Sequence, residues 1–537
     1  MSKKDVNSNK KKVVKEFTKT PKTRKKLPYI IGIIIVFIIS FSYTFDSKLD
    51  MNGDNAYYYM LAKSIAGGHG YKDIGNIDMP ATNIFPPGYP LLMSPIMLVT
   101  DSIFPQKIMN GLFLLFSVIL LFLWIVKLGK SENLAFVVSV IILLNATLLY
   151  FSTIMMSELP FIFFSMLSLY MLMSINYDKP FFKDKYFYLL IIFATYSTLI
   201  RSQGIALIPA VIICFLFAKK WKHCLGFIGG FIICSIPWTI RNSIAGIGGN
   251  RYMQQILVAN HLRPDEGTVT MEEFIKRGFD TVGMLISKAV PNVVMPYKEI
   301  DYSVAATFGD WMYGIILLSI IGIGFWQFKQ YKWFLFAYIL AVGAILFTWS
   351  APSGARYITT LLPFLEMGVV IGLFTIISWI FVKMKWKMKF SPLILLVLCF
   401  FSFPQVKERR LISQYPFPPN MKNYIAIAEQ MKREGLKDKV VSSRKPSLFY
   451  VFSNTHVCGY LYTADRKALI EGLVNDRADY VVLEQLGYSS TGLYLYPAIQ
   501  NNPELFELIS HIPNPDTYLL RFDREKAIEK IEKDEIK

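Results

Sequence analysis

Cysteine, histidine and acid are all scarce in this chain of 537 residues: five cysteines, five histidines, and 39 Asp and Glu against 57 Lys and Arg. Cys214, Cys224, Cys234 and Cys399 fall in or beside apolar runs, and only Cys458 lies in the final polar stretch. No disulfide framework and no metal-ligand spacing can be drawn from them. The histidines are scattered, which argues against a histidine-rich metal site. Also missing are a phosphate-binding GxxxxGK, an HExxH and a GxSxG, so the common signatures of P-loop enzymes, zinc peptidases and α/β-hydrolases are absent.

What the chain has instead is apolar surface. Hydrophobic residues make up 53% and aromatics 15%, gathered in long blocks. A helix needs about 20 apolar residues to cross about 30 Å of hydrocarbon. Several blocks meet that test, so the fold class is an α-helical polytopic membrane protein. The net charge of +18 would suggest nucleic acid in a soluble protein. Here the lysines cluster at the ends of apolar runs, the bias that sets orientation across a membrane, and nucleic acid is not the expected partner.

Eleven membrane helices are predicted, at 28–45, 107–127, 133–152, 158–175, 186–201, 204–218, 223–240, 311–328, 332–349, 357–382 and 390–405. The lysine-rich segment 1–27 reads as a disordered cytoplasmic tail. The apolar run after it is too long for a signal-peptide core and has no small-residue cleavage site, so it reads as an uncleaved first membrane helix. With the N-terminus inside, every cytoplasmic connection carries at least two lysines: 127–130, 176–185, 219–223, 329–332 and 383–389. Two long loops, 46–106 and 241–310, then lie outside, as does the C-terminus. This orientation suits a bacterial inner membrane.

The block from Lys185 to Ala218 is interrupted by Arg201-Ser202-Gln203-Gly204. Each arm is only about 22 Å long at 1.5 Å per residue. The break therefore falls below the outer membrane surface, where non-helical backbone is tolerated only under protein or beside a wet cavity. From Lys407 the chain turns polar. Asn420 to Glu434 reads as an amphipathic helix with Tyr424, Ile427, Ala428 and Met431 on one face. KVVSS and DYVVLEQL read as buried strands with the helical DRKALIEGLVNDR between them. Residues 407–537 are thus expected to form a small extracytoplasmic α/β domain beyond a membrane domain of 28–406.

The first outer loop carries the candidate chemistry. Asp54 heads MNGDNAYYYMLAKSIAGGHGY, where an N-cap would sit, and Tyr58, Leu61, Ala62 and Ile65 share a helical face. Locally this describes a surface helix anchored by tyrosines at headgroup level, with Asp54 as its cap. The loop continues into FPPGYPLL, whose prolines stiffen a turn. Ser157 and Glu158 open the fourth helix, where a cap and a dipole partner are expected, yet an acid at membrane depth is also a functional candidate. Arg201, Arg241 and Arg356 all fall on the outer side, where orientation does not call for them. Single arginines snorkel to headgroups. Three beside two acids look more like a polyanion site, because guanidinium forks suit phosphate oxygens.

These pieces together, GDNAYYYMLAKSIAGGHGY…FPPGYPLL, SELPFIFF, LIRSQGIALIPA, IPWTIRN and ARYITTLLPFL, resemble the GT-C superfamily of membrane glycosyltransferases. The resemblance is to the bacterial branch related to protein O-mannosyltransferases and to the aminoarabinose transferases of lipid A. It covers about residues 28 to 405. It implies a GT-C fold and sugar transfer from a polyprenyl-phosphate donor to a cell-envelope acceptor at the extracytoplasmic face, among membrane lipids. It makes Asp54 the catalytic carboxylate and gives the donor phosphate to Arg201, Arg241 and Arg356. Asn55, Tyr57, Tyr58, His69, Tyr89 and Glu158 fall to substrate binding or support. Two positions depart from the pattern: Asn55 stands where many relatives carry a second acid, and Phe85 where some carry a basic residue before the proline pair. Whether a divalent metal ion takes part stays open. The rival readings are a flippase or transporter of lipid-linked glycans, which would call for repeats and polar residues at the bilayer midplane, and a membrane anchor for the outer domain. Neither accounts for the acid and arginine set.

Overall fold

The computed structural model describes residues 26–247, 256–259, 267–349, 355–386 and 389–537. The basic tail expected at 1–27 lies almost wholly outside them. Among the described residues six helices are long and apolar enough to cross a membrane: Leu27–Thr44, Ile103–Lys127, Trp221–Ile244, Phe308–Trp326, Lys329–Thr348 and Arg356–Lys383. Three shorter apolar helices, Glu158–Leu172, Lys185–Ile200 and Ser202–Phe217, stand at three more of the predicted places. The chain is a multi-pass membrane protein.

Two predicted spans are built differently. The span expected at 133–152 is a pair, Glu132–Leu143 and Ala146–Ser152, bent by 65°. Asn145 makes the corner. Its side-chain oxygen accepts from the amides of Thr147 (2.9 Å) and Leu148 (3.1 Å), and its amide donates to Glu366 Oε1 at 2.8 Å. An asparagine that serves both helix and neighbour in this way supplies the partners a broken helix would otherwise lack. The last span is a 3-10 stretch, Pro392–Leu398, running into an α-helix, Cys399–Gln414, which continues past the predicted end at 405. The two together rise about 38 Å, enough to cross. At the far end Arg410 donates to the Tyr43 carbonyl (3.2 Å) and Lys48 to those of Ile412 and Ser413. This helix therefore finishes on the face that carries the first loop.

The helix Asp54–Ala66 does not lie on the membrane surface as its sequence suggests. Asn55, Ala56, Tyr57, Tyr58, Tyr59, Met60, Leu61, Ala62 and Ser64 are all buried. The expected tyrosine anchors are core residues, because a helix of the C-terminal domain, Pro446–Ser453, and the loop helix Gly88–Met97 cover them. One hydrophobic core runs from Tyr57–Ala62 through to Leu448, Phe449, Tyr450 and Val457.

The C-terminal domain carries a five-stranded sheet in the order β2-β1-β3-β5-β4, formed by β1 Val440–Ser442, β2 His456–Cys458, β3 Tyr480–Leu483, β4 Phe506–Ile512 and β5 Thr517–Phe522. β1 pairs in parallel with β2 and β3, and the other pairings are antiparallel. The helix Pro419–Arg433 buries Tyr424, Ile427, Ala428 and Met431, the face read from the sequence. The domain is tied to the first loop. Val457 donates its amide to the Gly75 carbonyl (2.7 Å), Arg477 pairs with Asp78 (2.7 Å), and Lys445 donates to the Asn52 carbonyl (2.7 Å).

Candidate active site

Asp54 is the first residue of its helix rather than the cap. The cap is Gly53, held at φ 103°, a conformation that side chains with a Cβ rarely adopt. The Asp54 carboxylate makes no capping bond, which leaves it available elsewhere. It meets Arg356, whose Nη2 donates to Asp54 Oδ2 at 2.7 Å. The Nε of the same guanidinium donates to Glu158 Oε1 at 3.1 Å. Arg201 Nη1 reaches that Glu158 oxygen at 2.8 Å. Two acids and two arginines drawn from four separate elements thus form one charge-balanced cluster.

Burial grades across the cluster. The Glu158 side chain is fully buried and Arg201 is nearly so, while Arg356 and Asp54 keep 32% and 34% of their side-chain exposure. A buried carboxylate between two guanidinium groups is well compensated; alone it would be very costly. Glu158 is therefore the post to which both arginines are fixed, and Asp54 is the member that faces solvent.

Arg201 owes its place to the break in the chain. It is extended (φ −146°, ψ 140°) between the helix Lys185–Ile200 and a 3-10 turn, Ser202–Ala206. Gly204 makes that turn possible, since a Cβ there would come within 2.6 Å of the Ser197 carbonyl group. Ser157, expected as a cap, makes no capping bond. Its hydroxyl accepts from Arg201 Nη1 (2.9 Å) and bonds the Tyr58 phenol (3.0 Å). Burial pushes that phenol up to about 12, so it stays protonated. Behind it, Tyr89 donates to Asn110 Oδ1 (3.0 Å), and the Asn110 amide donates to the carbonyls of Ile154 and Met156. Asn110 thus fixes the segment that delivers Ser157 and Glu158. Sequence reading missed it, although an asparagine inside the apolar run 107–127 was the available signal.

The remaining predicted residues are not brought together with these four. Arg241 stands apart from the other two arginines. Its Nη1 donates to the Thr82 carbonyl (2.7 Å) and Asn242 Oδ1 (2.9 Å), and its Nη2 to the Tyr71 carbonyl (2.5 Å). It also lies over the rings of Tyr71 and Trp238. It braces the first loop, because the loop folds back over the end of the helix Trp221–Ile244. Asn55 is buried and donates to the Asp50 carbonyl (2.7 Å), shaping the turn before Asp54. Tyr57 bonds Asp73 and Thr82 within the loop, and burial holds the Asp73 carboxyl above its usual range. His69 is exposed.

A cavity of about 290 Å³ opens beside the cluster. Asp54, Tyr58, Arg201 and Arg356 supply its polar wall, and Phe85, Ile200, Ile345, Leu346 and Trp349 its apolar one. It shares Ile84, Pro86, Ser202 and Ile345 with a larger cavity of about 540 Å³ that runs along the membrane helix Trp221–Ile244 past Trp238 and Thr239. The two form a path from the flank of that helix, where Asn83, Thr198, Ser235, Asn242 and Thr348 mix with Leu199, Ile205 and Trp238, to the charged cluster. A third cavity of about 260 Å³ also contains Arg356, with Tyr150, Asn292, Gln405, Glu408 and Arg409. Arg356 is thus common to two chambers.

Asp54 and Glu158 are paired to arginines, and among the described residues no three His, Cys, Asp or Glu side chains are grouped closely enough to share a metal.

Residues 97–242 match the family model described as dolichyl-phosphate-mannose-protein mannosyltransferase. The structure resembles ArnT from Cupriavidus metallidurans bound to undecaprenyl phosphate, with a TM-score of 0.57 at 9% identity, over 92% of this chain and 98% of that one. It also resembles the archaeal oligosaccharyltransferase AglB from Archaeoglobus fulgidus, solved with an inhibitory peptide and a dolichol-phosphate. There the TM-score is 0.56 at 11% identity, over 93% of this chain and 75% of that one. No protein of curated function matches the chain by sequence.

Proposed function

We propose that this chain, which has the GT-C fold of membrane glycosyltransferases, moves a sugar from a polyprenyl-phosphate donor to a hydroxyl of a cell-envelope acceptor. The observation that carries the reading is the Asp54, Arg356, Glu158 and Arg201 cluster at the end of a path that opens along a membrane helix. Such a path suits a lipid chain with its charged head at the cluster.

The chemistry follows from the groups present. The acceptor oxygen attacks the anomeric carbon and gives up its proton, which Asp54 takes as general base. The bond between that carbon and the phosphate oxygen breaks, and the lipid phosphate leaves with the electron pair. Arg201 and Arg356 stabilise the charge gathering on it. Arg356 Nη1 and Arg201 Nη2 make no hydrogen bond among the described residues, so both can turn to a phosphate without leaving Glu158. The residues argue against a transporter, since the polar cluster lies at the loop-bearing end of the helices. The lysine-rich connections support a bacterial plasma membrane, with the N-terminus cytoplasmic and both the first loop and the C-terminal domain outside.

The test is transfer itself. Full-length protein in proteoliposomes, given a polyprenyl-phosphate sugar labelled in the sugar and an envelope extract, should release polyprenyl phosphate and label an envelope component. Donor consumption equal to that of protein-free vesicles across the common hexose and pentose donors would overturn the reading.

A further inference from the structure

No side-chain cap steadies the start of the helix that Asp54 opens, so the backbone just before it decides where its carboxylate points. That backbone passes through Gly53 at φ 103°. Glycine has more conformational freedom to lose than any other residue, and a glycine turn keeps one shape only where something else holds it. Here the turn Asp50–Gly53 is held from within and from two sides. Within it, Asp50 Oδ1 accepts from the Asn52 amide at 3.0 Å, an Asx turn that fixes the backbone two residues on. Asn55 closes the far end on the Asp50 carbonyl.

The other Asp50 oxygen reaches out of the turn. The Tyr150 phenol donates to Asp50 Oδ2 at 2.7 Å and accepts from Asn52 Nδ2 at 3.3 Å. A bond to a carboxylate is of the stronger kind. Tyr150 is itself firmly placed. It belongs to the short helix Ala146–Ser152, whose Asn145 corner is tied to Glu366, and the Arg409 guanidinium lies 4.7 Å from its ring centre. From the opposite side Lys445 Nζ, in the C-terminal domain, donates to the Asn52 carbonyl at 2.7 Å. Tyr150 shares the cavity of about 260 Å³ with Arg356 but is not among the described residues that line the cavity of Asp54. Its hold on Asp54 therefore runs through the turn.

We propose that Tyr150 is a positioning residue: through Asp50 it fixes the turn Asp50–Gly53 and so keeps the Asp54 carboxylate at Arg356, where the acceptor proton is taken. Lys445 is the second hold on the same turn. The proposal rests on the transferase reading and adds to it the residues that aim its base.

Tyr150→Phe removes one hydroxyl and keeps the ring beside Arg409. With a labelled polyprenyl-phosphate sugar as donor and envelope extract as acceptor, kcat should fall about 10- to 100-fold, the cost of a misplacement near 1 Å. Donor KM should stay within about twofold, because the lost group acts only on the reaction step. Lys445→Met should lower kcat by a smaller factor, and Lys445→Arg should restore it. In the Asp54→Asn background Tyr150→Phe should bring no further loss, since residues that act as a unit are not additive. A purely structural tyrosine would add its full penalty there.

A second measurement needs no turnover. Amide exchange of the full-length chain in nanodiscs, without donor, should be at least tenfold faster over residues 50–57 in Tyr150→Phe and unchanged over Pro446–Ser453, which reports the fold. Unchanged exchange over 50–57, a rise in donor KM that accounts for the lost rate, or a full further loss in the Asp54→Asn background would each overturn the proposal. A wild type that consumes no donor overturns the transferase reading instead, and exchange alone then decides whether Tyr150 holds the turn.

Discussion

Asp54 and Arg356 meet at 2.7 Å although 302 positions of chain separate them. The contact joins the first loop to the start of a late membrane helix, and it places the one solvent-facing acid of the cluster under a guanidinium that two cavities share. With two acids and two arginines the cluster is balanced at rest. In the proposed reaction an arriving phosphate competes with Asp54 for Arg356, and that exchange frees the carboxylate to accept a proton.

Asp54→Asn removes the base and keeps the shape. Transfer should fall by about 10² to 10⁴, the usual contribution of a positioned general base. Membrane insertion and thermal unfolding should change little, because the side chain is partly exposed and caps nothing. Initial rates with labelled donor, read beside an unfolding scan, check both halves.

Glu158→Gln should behave in the opposite way. It leaves a nearly buried Arg201 and the Nε of Arg356 without their shared anion. Losing one partner of a buried pair costs about 3–5 kcal/mol. The expected result is a lower unfolding temperature in detergent together with loss of transfer. An unchanged unfolding temperature would mean that Glu158 does not hold the arginines.

Arg356→Ala and Arg241→Ala separate two roles that the sequence merged. The first should raise the donor KM at least tenfold, since it removes a cation at the head of the path along the membrane helix. The second should leave donor KM within about twofold and lower stability, because Arg241 bonds loop carbonyls, each such charged bond being worth about 1.5–3 kcal/mol. Steady-state kinetics on donor, paired with limited proteolysis of the loop 46–106, distinguishes them.

Gly204→Ala tests the break in the membrane helix. The added methyl would sit 2.6 Å from the Ser197 carbonyl and the Thr198 amide, so the turn must open. Overpacking of this kind costs about 1–3 kcal/mol. Because Arg201 leads into the turn, activity should fall further than stability, and donor KM should rise with it.

The membrane class and the positions of the helices were legible because apolar length is read one residue at a time. Glu158 was legible because an acid at membrane depth is rare, and Arg201 and Arg356 because orientation does not call for arginines on the outer side; Asp54 read locally as a helix cap, and only the family resemblance made it catalytic. What could not be read was pairing. Nothing local distinguishes Arg241, which bonds two carbonyls, from Arg356, which bonds two carboxylates. The tyrosine helix misled for a related reason. Its faces looked amphipathic, and the cover that buries it lies nearly four hundred residues downstream, in Pro446–Ser453. In the C-terminal sheet β2 has only three residues, and β4 and β5, although the longest strands, carry too mixed a pattern to stand out.

That distant cover also sets an order of events. The helix that begins with Asp54 is among the first parts of the chain to leave the ribosome. Part of its surface stays uncovered until Leu448, Phe449 and Tyr450 have been made and delivered to the same side of the membrane. Arg356 likewise reaches Asp54 only after four further long apolar helices, a bent pair and three shorter apolar helices have been made. The helix that carries Asp54 is therefore fully covered only by a late part of the chain, and a half-made protein in the membrane holds the carboxylate without Arg356.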